Sequence, residues 1–283
     1  MKITIFGGGW LGQPLAVALS KNSANANETA PEVQVTCRSE ASMATIRAQG
    51  LQARQFILGG SLQDKAAGSP LLHSDIVVIN IPPGRRNLAN NPQASEQFVS
   101  DMSALIRQTC IEQSAKLIFI STSAVYGDVE GEITENSQLN PSTESARAHC
   151  AIEQFIQQNI PQAATILRLA GLVGPKRHPA KFLAGKLDLS GASQVVNLVH
   201  QQDVIHAIEH IINREIWGEI LHLSAQAHPT RKEYYSWASK QLALTPPVFS
   251  EEQKACSGKR LNPEYTLRKL DMQLNYPSPY DML

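Results

Sequence analysis

The chain has 283 residues, 42% of them apolar, with 25 basic and 25 acidic side chains and a formal net charge of +0. That balance leaves no basic field for nucleic acid, and no apolar run reaches the length of a membrane span. Cys37, Cys110, Cys150 and Cys256 are scattered without a C-x-x-C pair, which fits a reducing cytoplasm and argues against a disulfide framework or a thiolate zinc site.

In chain order, residues 3–6 read as a short apolar strand. They run into Gly7-Gly8-Gly9-Trp10-Leu11-Gly12, and residues 14–20 continue as a helix. Only Lys2 and four strand-like residues precede the glycines, too little for a signal peptide. A strand, a Gly-x-Gly-x-x-Gly turn and a helix in that order are what a dinucleotide site needs. Gly7 makes the tight turn, Gly9 lets a pyrophosphate approach the backbone, and Gly12 lets helix and sheet pack closely. The amides of Trp10 and Leu11 then open a helix whose dipole favours negative charge.

Residues 22–31 are polar and of low complexity, and read as a mobile loop. Residues 33–37 read as a strand and 42–49 as a short helix closed by Gly50. Residues 75–81 form a continuous apolar strand ended by Pro82-Pro83-Gly84, the pattern of a parallel strand buried on both faces. The period then predicts a helix over 95–114, a strand over 116–120, a helix over 146–159 and a strand over 164–169. Such β-α-β repetition predicts a doubly wound parallel sheet, a Rossmann α/β fold, over residues 1–171. Beyond Gly171 the pattern loosens. Strands are expected at 195–199 and 220–224, with a helix from about 203 to 213 between them and another over 230–242. Residues 172–283 therefore read as a small substrate lobe plus returning elements of the main sheet at about 195–224.

Four segments, taken together, carry a family likeness. They are the glycine turn, Ile120-Ser-Thr-Ser-Ala-Val-Tyr-Gly-Asp128, Leu167-Arg-Leu-Ala-Gly-Leu-Val-Gly-Pro175 and Asn197-Leu-Val-His-Gln-Gln-Asp203. With these the chain resembles the extended and atypical short-chain dehydrogenase/reductases, the group that holds nucleotide-sugar epimerases and dehydratases. The glycine turn is nearer the atypical members. The resemblance covers nearly the whole chain and implies an NAD(P)-type cofactor, a small-molecule substrate such as a nucleotide sugar, and pairing of two copies through helices.

One departure concerns catalysis. The family uses a Ser/Thr together with a Tyr-x-x-x-Lys pair, in which the lysine lowers the pKa of the phenol and holds the nicotinamide ribose. By the resemblance Thr122 takes the Ser/Thr place, Ser145 stands where the Tyr belongs and His149 where the Lys belongs. Ser145 and His149, four apart on a helix, share a face, and an imidazole can act as acid or base near neutral pH. Two readings follow. One is an epimerase or oxidoreductase in which His149 carries the proton; the other is a non-catalytic NADP(H)-binding redox sensor or regulatory protein.

No carboxylate ends the strand 33–37, where NAD enzymes place one for the ribose. Arg38 and Ser39 stand there instead, which favours NADP(H) over NAD(H). The loop 80–86 should border the cofactor through Ile81 and Pro82, while Arg85 and Arg86 could meet an anionic group. Arg177, His178 and His200 lie where the resemblance places substrate contacts, and Asp203 would also serve as a helix cap. His206-Ala-Ile-Glu-His210 fits an H-x-x-E-H zinc pattern, but the sequence offers no third ligand, and no metal is expected.

Overall fold

The computed structural model describes residues 1–21, 30–62, 71–84, 88–89, 91–250 and 257–283. Its centre is built from β1 (Lys2–Phe6), β2 (Glu32–Cys37), β3 (Gln52–Gln55), β4 (Ile76–Ile79), β5 (Lys116–Thr122), β7 (Ala164–Leu169) and β10 (Ile220–Leu223). They form a parallel sheet in the order β10-β7-β5-β4-β1-β2-β3. All four residues of β4 and all six of β7 are buried, as expected of parallel strands covered on both faces.

On one face lie α1 (Gly12–Lys21) and α6 (Gln201–Asn213), whose Leu15, Leu19, Ile208 and Ile211 pack with Ile3, Ile5 and Leu221. On the other lie α3 (Pro92–Ile106) and α4 (Glu144–Asn159), which bury Met102, Leu105, Ile152 and Ile156 against Val77, Leu117 and Phe119. The strand order reverses between β1 and β4. The crevice outside their carboxyl ends is where open α/β sheets take ligands, and Gly7 and Asn80 follow those two strands directly.

A third cluster, including Ala180, Tyr234, Ala238, Phe249 and Met282, forms the core of the lobe. It gathers α5 (Ala180–Leu183), α7 (Arg231–Gln241) and the C-terminal residues. Two small parallel pairs flank it: β6 (Gly131–Ile133) with β11 (Lys259–Leu261), and β8 (Gly171–Val173) with β9 (Leu198–His200). The helices α2 (Glu40–Arg47) and α8 (Glu264–Leu270) complete the chain. Among the described residues no helix is long and apolar enough to cross a membrane.

Several boundaries differ from the sequence expectation, each for a local reason. The helix expected at 95–114 starts at Pro92, because Asn91 accepts from the Ala94 amide. It ends at Ile106 and passes into a π-type turn, Arg107–Ile111, where Thr109 returns its hydroxyl to the Leu105 carbonyl. β3 carries no apolar alternation, since Ala53 is its only buried residue, and so it left no signal. Asp203 does not cap α6. His200 does, its Nδ1 accepting from the Gln202 amide. Asp203 is fully buried and receives the Asn275 and Tyr276 amides at 2.7 and 3.2 Å, which fastens the C-terminal segment to α6. Residues 22–29 of the polar loop lie outside the described residues.

Candidate functional site

The glycine turn divides its residues by what surrounds them. Gly7 has φ +110°, and a Cβ there would lie 2.4 Å from the Asn80 carbonyl oxygen. At Gly8 a Cβ would lie 2.9 Å from the Thr36 carbonyl oxygen and closer still to the Val35 side chain, and at Gly12 it would come within 2.1 Å of the Gly7 carbonyl oxygen. At Gly9 it would meet nothing within 4 Å. Three glycines are thus demanded by backbone contacts, and the fourth opens onto the crevice. The Gly8 amide donates to Thr36 O at 2.6 Å, tying the turn to β2, while the amides of Gly9 and Trp10 make no hydrogen bond to a described residue. A dinucleotide pyrophosphate fits these residues: an open space beside a Cβ-less backbone, amides without partners, and the start of α1.

Around that turn, Arg38 is exposed at the end of β2, and its guanidinium makes no hydrogen bond to a described residue. Ser39 caps α2 by accepting from the Ser42 amide. Ile81 and Pro82 continue the chain beyond Asn80, on whose carbonyl Gly7 rests. Arg85 and Arg86 lie outside the described residues.

Thr122 ends β5, and its Oγ1 accepts from the Ala124 amide at 3.2 Å, which turns the chain into the short helix Ser123–Tyr126. Ser145 is half-buried in the first turn of α4, its Oγ 3.3 Å from that of Thr143, the cap. One turn on, His149 is buried, its ring centroid 5.7 Å from that of Phe119 and its Nδ1 3.5 Å from Ser121 Oγ.

Behind His149 runs a network that no sequence signal foretold as a whole. Ser121 donates to Glu153 at 2.5 Å, and Arg168 donates to both Glu153 oxygens, the shortest bond being 2.7 Å. Arg168 Nη1 also donates to the Tyr126 hydroxyl at 3.1 Å. That hydroxyl lies 3.0 Å from His222 Nδ1, and His222 Nε2 lies 2.7 Å from the Asn262 carbonyl oxygen. Because a carbonyl only accepts, Nε2 carries the proton and Nδ1 accepts from Tyr126. Burial pushes the Tyr126 phenol up to about 12 and the His222 imidazole down, so both stay neutral at neutral pH. The hints were His222 and Arg168 themselves, polar residues inside largely apolar strands.

The substrate-side candidates separate. His178 is buried and turned into the lobe. Its Nδ1 accepts from the Ala180 amide and its Nε2 donates to the Tyr234 hydroxyl at 2.8 Å. Burial lowers its pKa to about 4. His200 stacks on Tyr276, with ring centroids 3.7 Å apart. Arg177 instead faces the glycine turn, its guanidinium 5.0 Å from the Trp10 ring centroid. Sequence reasoning missed Lys259, whose ammonium donates to the carbonyls of Ser123 and Gly127 at 3.1 and 2.7 Å, immediately beyond Thr122.

The H-x-x-E-H pattern resolves into separate contacts. His206 Nδ1 accepts from Asn275 and His210 Nδ1 donates to the Leu270 carbonyl. Among the described residues no group of three or more His, Cys, Asp or Glu is placed to hold a metal.

Residues 89–265 match the RmlD substrate binding domain family. The chain belongs to the RmlD substrate-binding domain family. The matched span starts beyond the glycine turn, so RmlD membership rests on the second half of the sheet and the lobe. Protein YeeZ of Escherichia coli (strain K12) is 31% identical over 282 residues, covering 99% of this chain and 98% of that protein. Among solved structures, UDP-glucuronic acid 4-epimerase from Bacillus cereus, in complex with NAD, superposes with a TM-score of 0.73 at 19% identity, covering 100% of this chain and 94% of that one. UDP-glucose 4-epimerase from Thermotoga maritima, with UDP-glucose, gives 0.76 at 16% identity, covering 100% and 96%. The fold of this RmlD-family chain is accordingly the Rossmann-like α/β fold of these two epimerases.

Proposed function

We propose that this chain binds a nicotinamide dinucleotide at the glycine turn, NADP(H) in preference to NAD(H), and takes a nucleotide sugar in the cleft between the sheet and the lobe. The observation that carries the reading is the asymmetry of the glycines: Gly7, Gly8 and Gly12 are closed in by protein, and Gly9 faces open space. Arg38, exposed where NAD enzymes place a carboxylate, supports NADP(H) through a bidentate contact to a 2′-phosphate. The likeness to epimerases that bind NAD and UDP-glucose supports the ligand classes. Bound nicotinamide supplies hydride exchange.

For this chain's own residues we favour binding without the family's proton chemistry. The described face of α4 offers no phenol or ammonium, and Ser145 is engaged with Thr143. A regulatory or redox-sensing role follows from that. The second reading keeps turnover and gives the proton to His149, with Thr122 orienting the substrate oxygen. It is favoured by the contact of His149 with Ser121, which links the imidazole to Glu153.

Calorimetric titration with NADPH and NADH tests the first claim; binding of neither removes it. Product formation from a panel of nucleotide sugars, followed beside cofactor oxidation or reduction, then separates the two roles, because an epimerase returns its cofactor unchanged. A sensor binds without turnover, whereas a catalyst converts its nucleotide sugar and loses that activity in His149→Ala.

A further inference from the structure

The loop that follows β8 is shaped around one side chain of the glycine turn. Gly174 and Arg177 pair backbone to backbone, with N–H···O distances of 3.0 and 2.9 Å, and Lys176 adopts a left-handed φ of 62° at the tip. A Cβ at Gly174 would lie 3.0 Å from the Trp10 ring, so this glycine makes room for the indole. Trp10 is then held from three directions. Its Nε1 donates to the Pro175 carbonyl at 2.9 Å, its own carbonyl accepts from Gln201 Nε2 at 2.6 Å, and the Arg177 guanidinium covers its face. Arg177 is exposed and takes part in no ion pair among the described residues.

Trp10 is the immediate neighbour of Gly9, whose missing Cβ opens the crevice. A pyrophosphate carries two negative charges, and amides with a helix dipole answer only about half a charge. A guanidinium stacked on an indole keeps its N–H edge free for phosphate oxygens. We propose that Arg177 is a cofactor residue: it supplies the cation for the dinucleotide pyrophosphate, and its stack on Trp10 couples the glycine turn to the lobe. This rests on the dinucleotide reading above, and it moves Arg177 from the substrate side to the cofactor side.

The test is titration of the full chain with NADPH, NADH and UDP-glucose, followed by tryptophan emission and calorimetry, for the wild type and for Arg177→Ala, Arg177→Lys and Trp10→Phe. Loss of one charge-assisted contact predicts that Arg177→Ala weakens NADPH and NADH alike, by about tenfold or more, with UDP-glucose affinity and the melting temperature unchanged. Arg177→Lys keeps the charge without the planar stack and should recover part of the loss. The emission change on cofactor binding should vanish in Trp10→Phe. Equal dinucleotide affinity in wild type and Arg177→Ala overturns the assignment. So does a loss confined to UDP-glucose, which would give the cation to the sugar-nucleotide diphosphate. If the wild type binds neither dinucleotide, the reading of the glycine turn itself falls, and this assignment with it.

Discussion

Arg168 Nη2 lies 2.7 Å from Glu153 Oε2, and their side chains are 3% and 2% exposed. The pair joins α4 to β7 behind His149, and Ser121, Tyr126 and the Glu135 carbonyl share in its hydrogen bonds. Two charges this deep are tolerable only because each satisfies the other.

Removing one partner should therefore be severe. Glu153→Ala leaves a guanidinium buried without a counter-charge and should lower stability by about 3–5 kcal/mol. Replacing both residues with apolar ones should cost less than either single change. Urea unfolding of the three variants checks this, and additive losses would show that the two side chains act independently.

The glycine turn gives a paired prediction. Gly12→Ala places a methyl 2.1 Å from a carbonyl oxygen that belongs to the fold, and should destabilise by about 2 kcal/mol. Gly9→Ala meets no protein atom, so its melting temperature should match the wild type while dinucleotide affinity falls. Differential scanning calorimetry beside ligand titration reads both outcomes. A Gly9→Ala chain that binds normally would mean that no phosphate lies against that backbone.

Cofactor choice separates two arginines. Arg38→Ala should weaken NADPH by about tenfold and leave NADH unchanged, because only NADPH carries the 2′-phosphate. An equal loss for both would instead place Arg38 near a group the two cofactors share.

Much of this frame could be read from the chain because its signals are local. The step from Phe6 into the glycines and the apolar run of β4 each state their structure within ten residues. The segment 120–128 likewise placed Thr122 at the end of β5, and the family's Tyr-x-x-x-Lys spacing placed Ser145 and His149 on one helix. What escaped depends on distant partners. Lys259 reaches Ser123 across 136 residues of sequence. His222 meets Tyr126 across 96. Asp203 has the composition of a cap, yet it is claimed by amides 72 and 73 residues away. Nor does spacing tell that Arg177 turns toward Trp10 while its neighbour His178 turns into the lobe.

His178 sets the acid limit of the lobe. Its imidazole is neutral, donates to Tyr234 and accepts from Ala180, and burial holds its pKa near 4 against an ordinary 6.5. The unfolded chain therefore binds one more proton than the native chain between those values. Its contribution is complete above pH 6.5 and is lost as pH falls toward 4, by at most about 3 kcal/mol. Burial lowers the pKa of His200 and His222 as well, which adds in the same direction. The wild type should thus lose stability progressively below pH 6.5. His178→Gln should be less stable at pH 7, where the bond to Tyr234 is gone, and should lose less on acidification because one proton's uptake has been removed. Thermal unfolding of both chains from pH 4.5 to 7.5 measures the two slopes. Parallel slopes would show that His178 titrates alike in the folded and unfolded chains.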